Sequence, residues 1–331
     1  MIVAALQTVV EPETAGDPMS EQKWVRSSLR QVGSRLSAAG HPISPPTVGR
    51  LLDEQGYALH VNAKKVEARA THPERNAQFE HIALQRQLFE AAGQPIISVD
   101  TKKKELIGNF KNAGQSWSQE AEAVNVHDFP QDALGRAVPY GIYDVLNNRG
   151  TVYVGSGADT PDFAVAAIAR WWETEGRARF AHAQELLILA DAGGSNGCRP
   201  RLWKQQVQEQ LSDGLGLSVT VCHYPTGCSK WNPIEHRLFS QISLNWAGKP
   251  LRSWDSVVGY IRGTTTTTGL EVRAELHTGD YVTGRSVSDA EMERLNLERH
   301  TICPNWNYTI RPRSLGGTTP CSHPSNREVV V

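Results

Sequence analysis

Between residues 94 and 246 the chain repeats one pattern: short apolar runs of strand type alternate with longer amphipathic stretches. PIISVD (95–100), AVPYGIYDV (137–145) and GTVYVG (150–155) read as strands, the last two an antiparallel pair across the turn LNNRG. DTPDFAVAAIARWWETEG reads as a helix, with Thr160 as its cap, Pro161 in the first position and Val165, Ile168 and Trp172 as its inner stripe. Then come a buried strand, ELLILAD (185–191), a helix in RPRLWKQQVQEQLS, a strand in LSVTVCHYP and a helix in NPIEHRLFSQISLNW. An order of strands, helix, strand, helix, strand, helix predicts an α/β domain, a mixed sheet with helices on its faces.

Two of these strands stop on an acid, Asp100 and Asp191, and polar or glycine-rich residues follow each. In open α/β sheets the carboxyl ends of parallel strands are where ligands bind. If the two strands are parallel neighbours, the carboxylates lie within a few ångströms of each other, and that repulsion needs a cation to offset it. Mg²⁺ suits hard oxygen ligands of this kind. Each aspartate also has a plainer reading, as the cap of the loop that follows.

Glu235 divides in the same way. Asn232, Pro233 and Glu235 have the spacing of a capping box, and an acid in the first turn suits the helix dipole. Yet Leu238, Phe239, Ile242 and Trp246 lie three, four, seven and eleven residues beyond it. That stripe puts Glu235 on the face that packs on the sheet, close to where a metal site would be completed.

Ahead of the α/β region, residues 20–57 read as two helices and a turn. Trp24, Leu29, Val32 and Leu36 fall near helical spacing, Gly40 ends the first helix, Ser44 caps the second, Val48, Leu51 and Leu52 face inward, and Gly56 closes it. From Lys23 to Arg69 eight Lys and Arg stand against three Asp and Glu. This is a helix-turn-helix outline with local basicity, and Arg26, Arg30, Thr47 and Arg50 are its candidate DNA contacts. The division expected is an all-α helix-turn-helix region over 1–72, a connecting helix over 73–93 that spaces two domains, the α/β domain over 94–246 and a C-terminal extension over 247–331. The extension holds a five-threonine run (264–268) expected as a strand or extended loop, a capped helix in SDAEMERLNLERH and a loose tail from Pro312.

Composition narrows the classes. With 331 residues there is room for two or three domains and a sizeable core. A formal net charge of −1 denies the chain any overall polycation effect, so affinity for nucleic acid must come from patches. No run of about 18 apolar residues exists, so no membrane-spanning helix is expected. The first residues lack a basic signal-peptide start. Five scattered cysteines (198, 222, 228, 303 and 321) fit a reducing, cytoplasmic compartment better than a disulfide scaffold.

The stretches ISVDTKKKELIGNFKNAGQSW, VNVHDFP, VPYGIYDV, RWWETEG, LLILADAGGSNGCRPRLWK, CHYPTGCSKWNPIEHRLFSQISLNWAGKPL and TTTTTGLEV closely resemble bacterial insertion-sequence transposases of the ISAzo type. The resemblance runs from about residue 10 to residue 311 and implies a ribonuclease H-like fold with a three-carboxylate site. Matched position by position, the acids fall on Asp100, Asp191 and Glu235. It implies a DDE-type enzyme that cleaves the ends of an insertion element and joins the freed 3′ ends to target DNA. Two Mg²⁺ ions, for which Mn²⁺ can substitute, would be held by those three residues. DNA would be the partner, the active complex a homo-oligomer holding two ends, and the location cytoplasmic, at the nucleoid. Two departures stand out. Relatives of this type carry more chain before VEPETAGDP, so an N-terminal DNA-binding part is expected to be missing here. They also usually carry a basic residue where this chain has Pro233, and commonly no cysteine at Cys228.

Beside Asp100, Lys102, Lys103 and Lys104 are candidate phosphate contacts, as are Lys230 and Arg237 beside Glu235. The AGGSNG run after Asp191 could hold a phosphate on backbone N–H groups or simply let the chain pass close to the metals. Three rival readings remain. One is a zinc site from Cys222, His223, Cys228 and His236, disfavoured because adjacent strand residues point apart. Another is a truncated, inactive relic or regulator that binds DNA without cutting it. The third is a nucleotide-binding oxidoreductase resting on VGSGAD or DAGGSNG, neither of which gives the required glycine spacing.

Overall fold

The computed structural model describes residues 2–11, 14–16, 23–25, 27–58, 72–116 and 119–313. The chain divides into two compact units, Met1–Ala68 and Arg69–Val331.

The first unit is built on three helices, α1 (Ile2–Val10), α2 (Leu29–Ala38) and α3 (Pro45–Glu54), with a short antiparallel pair, β1 (Thr14–Gly16) and β2 (Lys23–Val25). The helix expected from residue 20 begins only at Leu29. Ser28 and Gln31 form a capping box that fixes the start there, while Lys23–Val25 pairs as a strand. Ser44 caps α3 through the Thr47 N–H with Pro45 in the first turn, as read from the sequence. The apolar opening of the chain folds as α1, and its Leu6 and Val10 close a core with Val32, Leu36, Val48 and Leu51.

The second unit opens with α4 (Arg75–Ala91), followed by β3 (Ile96–Thr101), β4 (Glu105–Ile107), β5 (Gly135–Asp144) and β6 (Arg149–Gly155). Next come α5 (Pro161–Trp171), which runs through a π-helical turn into α6 (Arg177–Arg179), then β7 (Glu185–Asp191), α7 (Arg201–Gln206) and β8 (Ser218–Tyr224). A π-helical turn at Glu235–Phe239 leads into α8 (Ser240–Asn245), and α9 (Trp254–Arg262), β9 (Glu271–His277), α10 (Asp289–Glu293), β10 (Leu297–Arg299) and β11 (Asn307–Ile310) complete the unit.

The strands form one mixed sheet in the order β10-β11-β8-β7-β3-β5-β6-β9, with β4 paired to β5 off that path. β3, β5 and β6 are an antiparallel meander, and β7 and β8 add in parallel on the other side of β3. A three-strand meander extended by two parallel strands is the ribonuclease H-like layout. Helices cover both faces. On one, α5 and α7 bury Phe163, Val165, Ile168, Trp171 and Trp203 against Ile97, Val99, Ile188 and Val221. On the other, Ile234, Leu238, Phe239, Ile242 and Trp246 pack with Val152 and Val154, the inner stripe read from the sequence. Each such fully buried side chain contributes roughly 1.5–3 kcal/mol.

The helix expected over 73–93 forms as α4, and its Ile82 and Phe89 pack on Ile96, Leu187, Leu189 and Tyr224 of the sheet. The segment after residue 246 is woven into the sheet, with β9 on β6 and β11 on β8. The threonine run is a turn before β9, with Thr264 buried.

Candidate active site

Strand alternation decides which way the two aspartates point. Ile97 and Val99 of β3 face α5, so Ser98 and Asp100 face the opposite side; on β7, Ile188 and Ala190 face α5, so Asp191 joins Asp100. The parallel register runs Ile96↔Leu187 to Val99↔Ala190, and its next step sets Asp100 beside Asp191. The chain then leaves β8, turns through Ser229–Trp231 and lays the Glu235 helix over this face. Gly141, the β5 partner of Asp100, lets it close: a Cβ there would stand 2.5 Å from the Phe239 ring and 2.8 Å from Ile234.

The three carboxyls lie near enough to feel one another's charge. Burial above all, then the charge of Asp191, then those of Glu235 and Asp159, push the Asp100 carboxyl up to about 8, against a hydrogen bond from the Thr101 N–H. Asp191 is pushed up to about 6 by burial, with Glu235 adding to it and Asn232 opposing it. Glu235 is raised by burial, although Lys102, His236 and the neighbouring Asp100 carboxyl oppose the shift.

The buried acids of this unit, Asp144, Asp162 and Glu175, each have a guanidinium. Arg179 sits 2.7 Å from Asp144 and 3.1 Å from Glu175, and Arg285 lies 2.5 Å from Asp162. Among the described residues Asp100, Asp191 and Glu235 have no such ion pair. Nor, among the described residues, do any three His, Cys, Asp or Glu side chains stand close enough together as they are to hold a metal ion. The donors at this site nevertheless fit a hard cation: three carboxylates, no thiol, and raised proton affinities that a positive charge would reverse. Closing on an ion would require the three carboxyls to draw closer together than they stand.

Asn232 is not a helix cap. It is fully buried, accepts from Ser98 Oγ at 2.5 Å, and donates to the Val99 carbonyl at 3.3 Å and to Asp191 Oδ1 at 3.2 Å. The Ile234 N–H goes to Ser98 Oγ instead, at 3.0 Å. The capping-box reading of Asn232 and Glu235 therefore fails, because the sheet offers the Asn amide more partners than the helix end does. Sequence reasoning missed Ser98 and Asp159 and gave Asn232 only a capping role. Ser98 two residues before Asp100 on the same strand face was the one available signal.

The lysines after Asp100 separate. Lys102 is almost buried, with its ammonium 4.6 Å from the Trp246 ring centroid and 3.4 Å from Glu105. Lys103 is exposed and Lys104 lies 3.3 Å from Asp159. Lys102, Lys103, Lys230, His236 and Glu235 line one cavity. Arg237 is exposed on the other side of the helix. In the first unit Arg30 is exposed on α2, Thr47 lies in the first turn of α3 and Arg50 pairs with Glu54 at 2.6 Å; Arg26 lies outside the described residues.

The zinc reading does not survive. Cys222 packs among apolar residues on one face of β8, while His223 on the other bonds the Asp191 carbonyl and Tyr308. Cys228 receives Arg75 Nε and His236 bonds the Lys230 carbonyl.

This is a ribonuclease H-like domain with three acids gathered at the carboxyl ends of its central strands. The family described as the Rhodopirellula transposase DDE domain matches residues 5–312, and the chain belongs to it. It is a DNA transposase of the DDE type. A comparison with curated proteins found no match. Among solved structures it is similar to the Mos1 transposase paired-end complex with left transposon end, at 15% identity and a TM-score of 0.42, covering 78% of this chain and 69% of that one. The pre-cleavage Mos1 transpososome gives 13% identity and a TM-score of 0.43 over 78% and 69%, and the Mos1 mariner paired end complex with Mn 16% and 0.42 over the same shares. No helix among the described residues is long and apolar enough to cross a membrane.

Proposed function

We propose that Asp100, Asp191 and Glu235 are the catalytic carboxylates, and that they hold divalent cations, two Mg²⁺ ions for which Mn²⁺ can substitute, to cut the ends of an insertion element and transfer its 3′ ends into target DNA. The observation that carries this reading is the convergence of three half-buried acids, none in an ion pair among the described residues, where the buried acids Asp144, Asp162 and Glu175 of the same unit each have a guanidinium. Bound there, divalent cations would supply Lewis-acid stabilisation of the phosphoryl group and lower the pKa of the attacking hydroxyl. The chain's own residues do the positioning. Asn232 ties Asp191 to the backbone of β3, Ser98 holds the entry of the Glu235 helix, and the Thr101 N–H orients Asp100. Lys103 and Lys230, exposed beside this site, and Arg237 on the other side of the helix would take DNA phosphates. Arg26, Arg30, Thr47 and Arg50 would contact DNA from the first unit; the Arg50–Glu54 pair is exposed and cheap to break. Holding two ends together calls for more than one copy of the chain, working at the cytoplasmic nucleoid.

The test is cleavage of DNA carrying the element's ends, with and without Mg²⁺ or Mn²⁺. Metal-dependent cuts at the ends are expected. Binding with no cleavage in either metal would favour a DNA-binding relic.

A further inference from the structure

The Glu235 helix has a second concave surface beside it. A cavity of about 750 Å³ opens between α4, the β5–β6 turn and the start of this helix. Arg86 comes from α4, Tyr143 from β5, Asn148 from the turn after it, His236 and Arg237 from the helix, and Thr268 from the threonine run. No Asp or Glu lines it. Among the described residues Arg86 and Arg237 have no carboxylate within ion-pair distance, whereas Arg149, Arg179, Arg201, Arg252 and Arg285 each hold one. Two guanidiniums lining one cavity with no acid in its lining repel each other, and their planar forks match phosphate oxygens.

Part of the lining is stapled in place. Asn148 Oδ1 accepts from the Tyr143 hydroxyl at 2.9 Å, and its Nδ2 donates to the Thr268 carbonyl at 3.0 Å. His236 lines this cavity and also the one that holds Glu235, Lys102, Lys103 and Lys230, so the two basic hollows meet across a single side chain.

We infer that the Arg86–Arg237 cavity is a phosphate site for the DNA backbone, gripping the strand beside the bond presented to Glu235. This rests on the DNA reading above and adds Arg86, which no motif marks. The shared chemistry is phosphate, whose other source would be the free anion.

The experiment measures the affinity of the full chain for element-end DNA across a salt series for wild type, Arg86→Gln, Arg237→Gln and Arg86→Lys. Each Gln variant should bind about threefold to tenfold more weakly, with a plot of log K against log salt shallower by roughly 0.9 for a lost phosphate contact. Arg86→Lys keeps the charge on the same helix face and should keep the wild-type slope; a slope lost in Arg86→Lys as in Arg86→Gln would make the effect structural and overturn the proposal. Unchanged affinity and slope in Arg86→Gln, with wild type still binding and cutting, would overturn the site and leave the function standing. A wild type that binds no DNA would sink both. Thermal stabilisation by inorganic phosphate that Arg86→Gln abolishes, with the DNA slope unchanged, would assign the cavity to the free anion and overturn the DNA proposal.

Discussion

Each residue around the three acids has a separable job. Asp100→Asn and Asp191→Asn each remove a charge that the fold holds against burial and repulsion. We expect both to lose Mg²⁺-dependent cleavage by at least about a thousandfold, as is usual when a member of a catalytic unit is removed. DNA affinity should stay near wild type, and the metal-free melting temperature should be no lower. Parallel cleavage and unfolding assays check this; a variant that cuts normally removes its residue from the site. Asn232→Ala has the opposite signature. It strands Ser98 Oγ and one oxygen of Asp191 in a buried setting, at a cost of about 1–3 kcal/mol in urea unfolding, and loosens the acid it holds. An Asn232→Ala protein as stable as wild type would show that water replaces the amide at no cost.

At the scale of elements, closeness is the determinant. Gly141→Ala forces a methyl into the Phe239 ring and Ile234, which flank Glu235, and overpacking of this kind costs about 1–3 kcal/mol. Cleavage should fall together with stability, read from denaturant midpoints and initial rates on the same samples. Another contact joins α4 to the end of β10. His81 Nε2 and His300 Nδ1 lie 2.9 Å apart, sharing one proton, and burial holds both imidazoles below their ordinary range, His300 also through His81. The unfolded chain takes up protons below about pH 6.5 that the folded pair resists. This contact therefore supports the fold fully above that pH and fails as pH falls through and below it. Unfolding midpoints at pH 7.5 and 5.5 should differ more in wild type than in His300→Asn; equal differences would refute the coupling. Much of this scale was legible beforehand. The strand-ending aspartates, the Thr160 and Ser44 caps and the Leu238–Trp246 stripe lie in local periodicity and turn chemistry, which sequence carries. Residues 23–25 were misread as helix because an apolar pattern over so few residues has no distinct period until a pairing partner is known. Asn232 was misread because its spacing to Glu235 satisfied a local rule, while its real partners, Ser98 and Asp191, lie 134 and 41 positions away.

For the whole molecule, a net charge of −1 means that any hold on DNA is local: basic residues of the first unit, the lysines about Asp100, and the arginines flanking the Glu235 helix. The same neutrality makes the three-acid cluster the strongest candidate for a specific divalent cation. Mn²⁺ at about a hundred times its dissociation constant should stabilise the fold by roughly 2.7 kcal/mol and raise the melting temperature by a few degrees, an effect that Asp191→Asn should lose. Equal shifts in both proteins would place the ion elsewhere. The central claim is that Glu235 is a metal-holding catalytic acid and not a helix cap. The measurement that tests it most directly is the rate at which Glu235→Gln cuts element-end DNA in Mg²⁺, with DNA binding measured beside it. Wild-type binding with no detectable cutting is the predicted result; cutting at the wild-type rate would contradict the account.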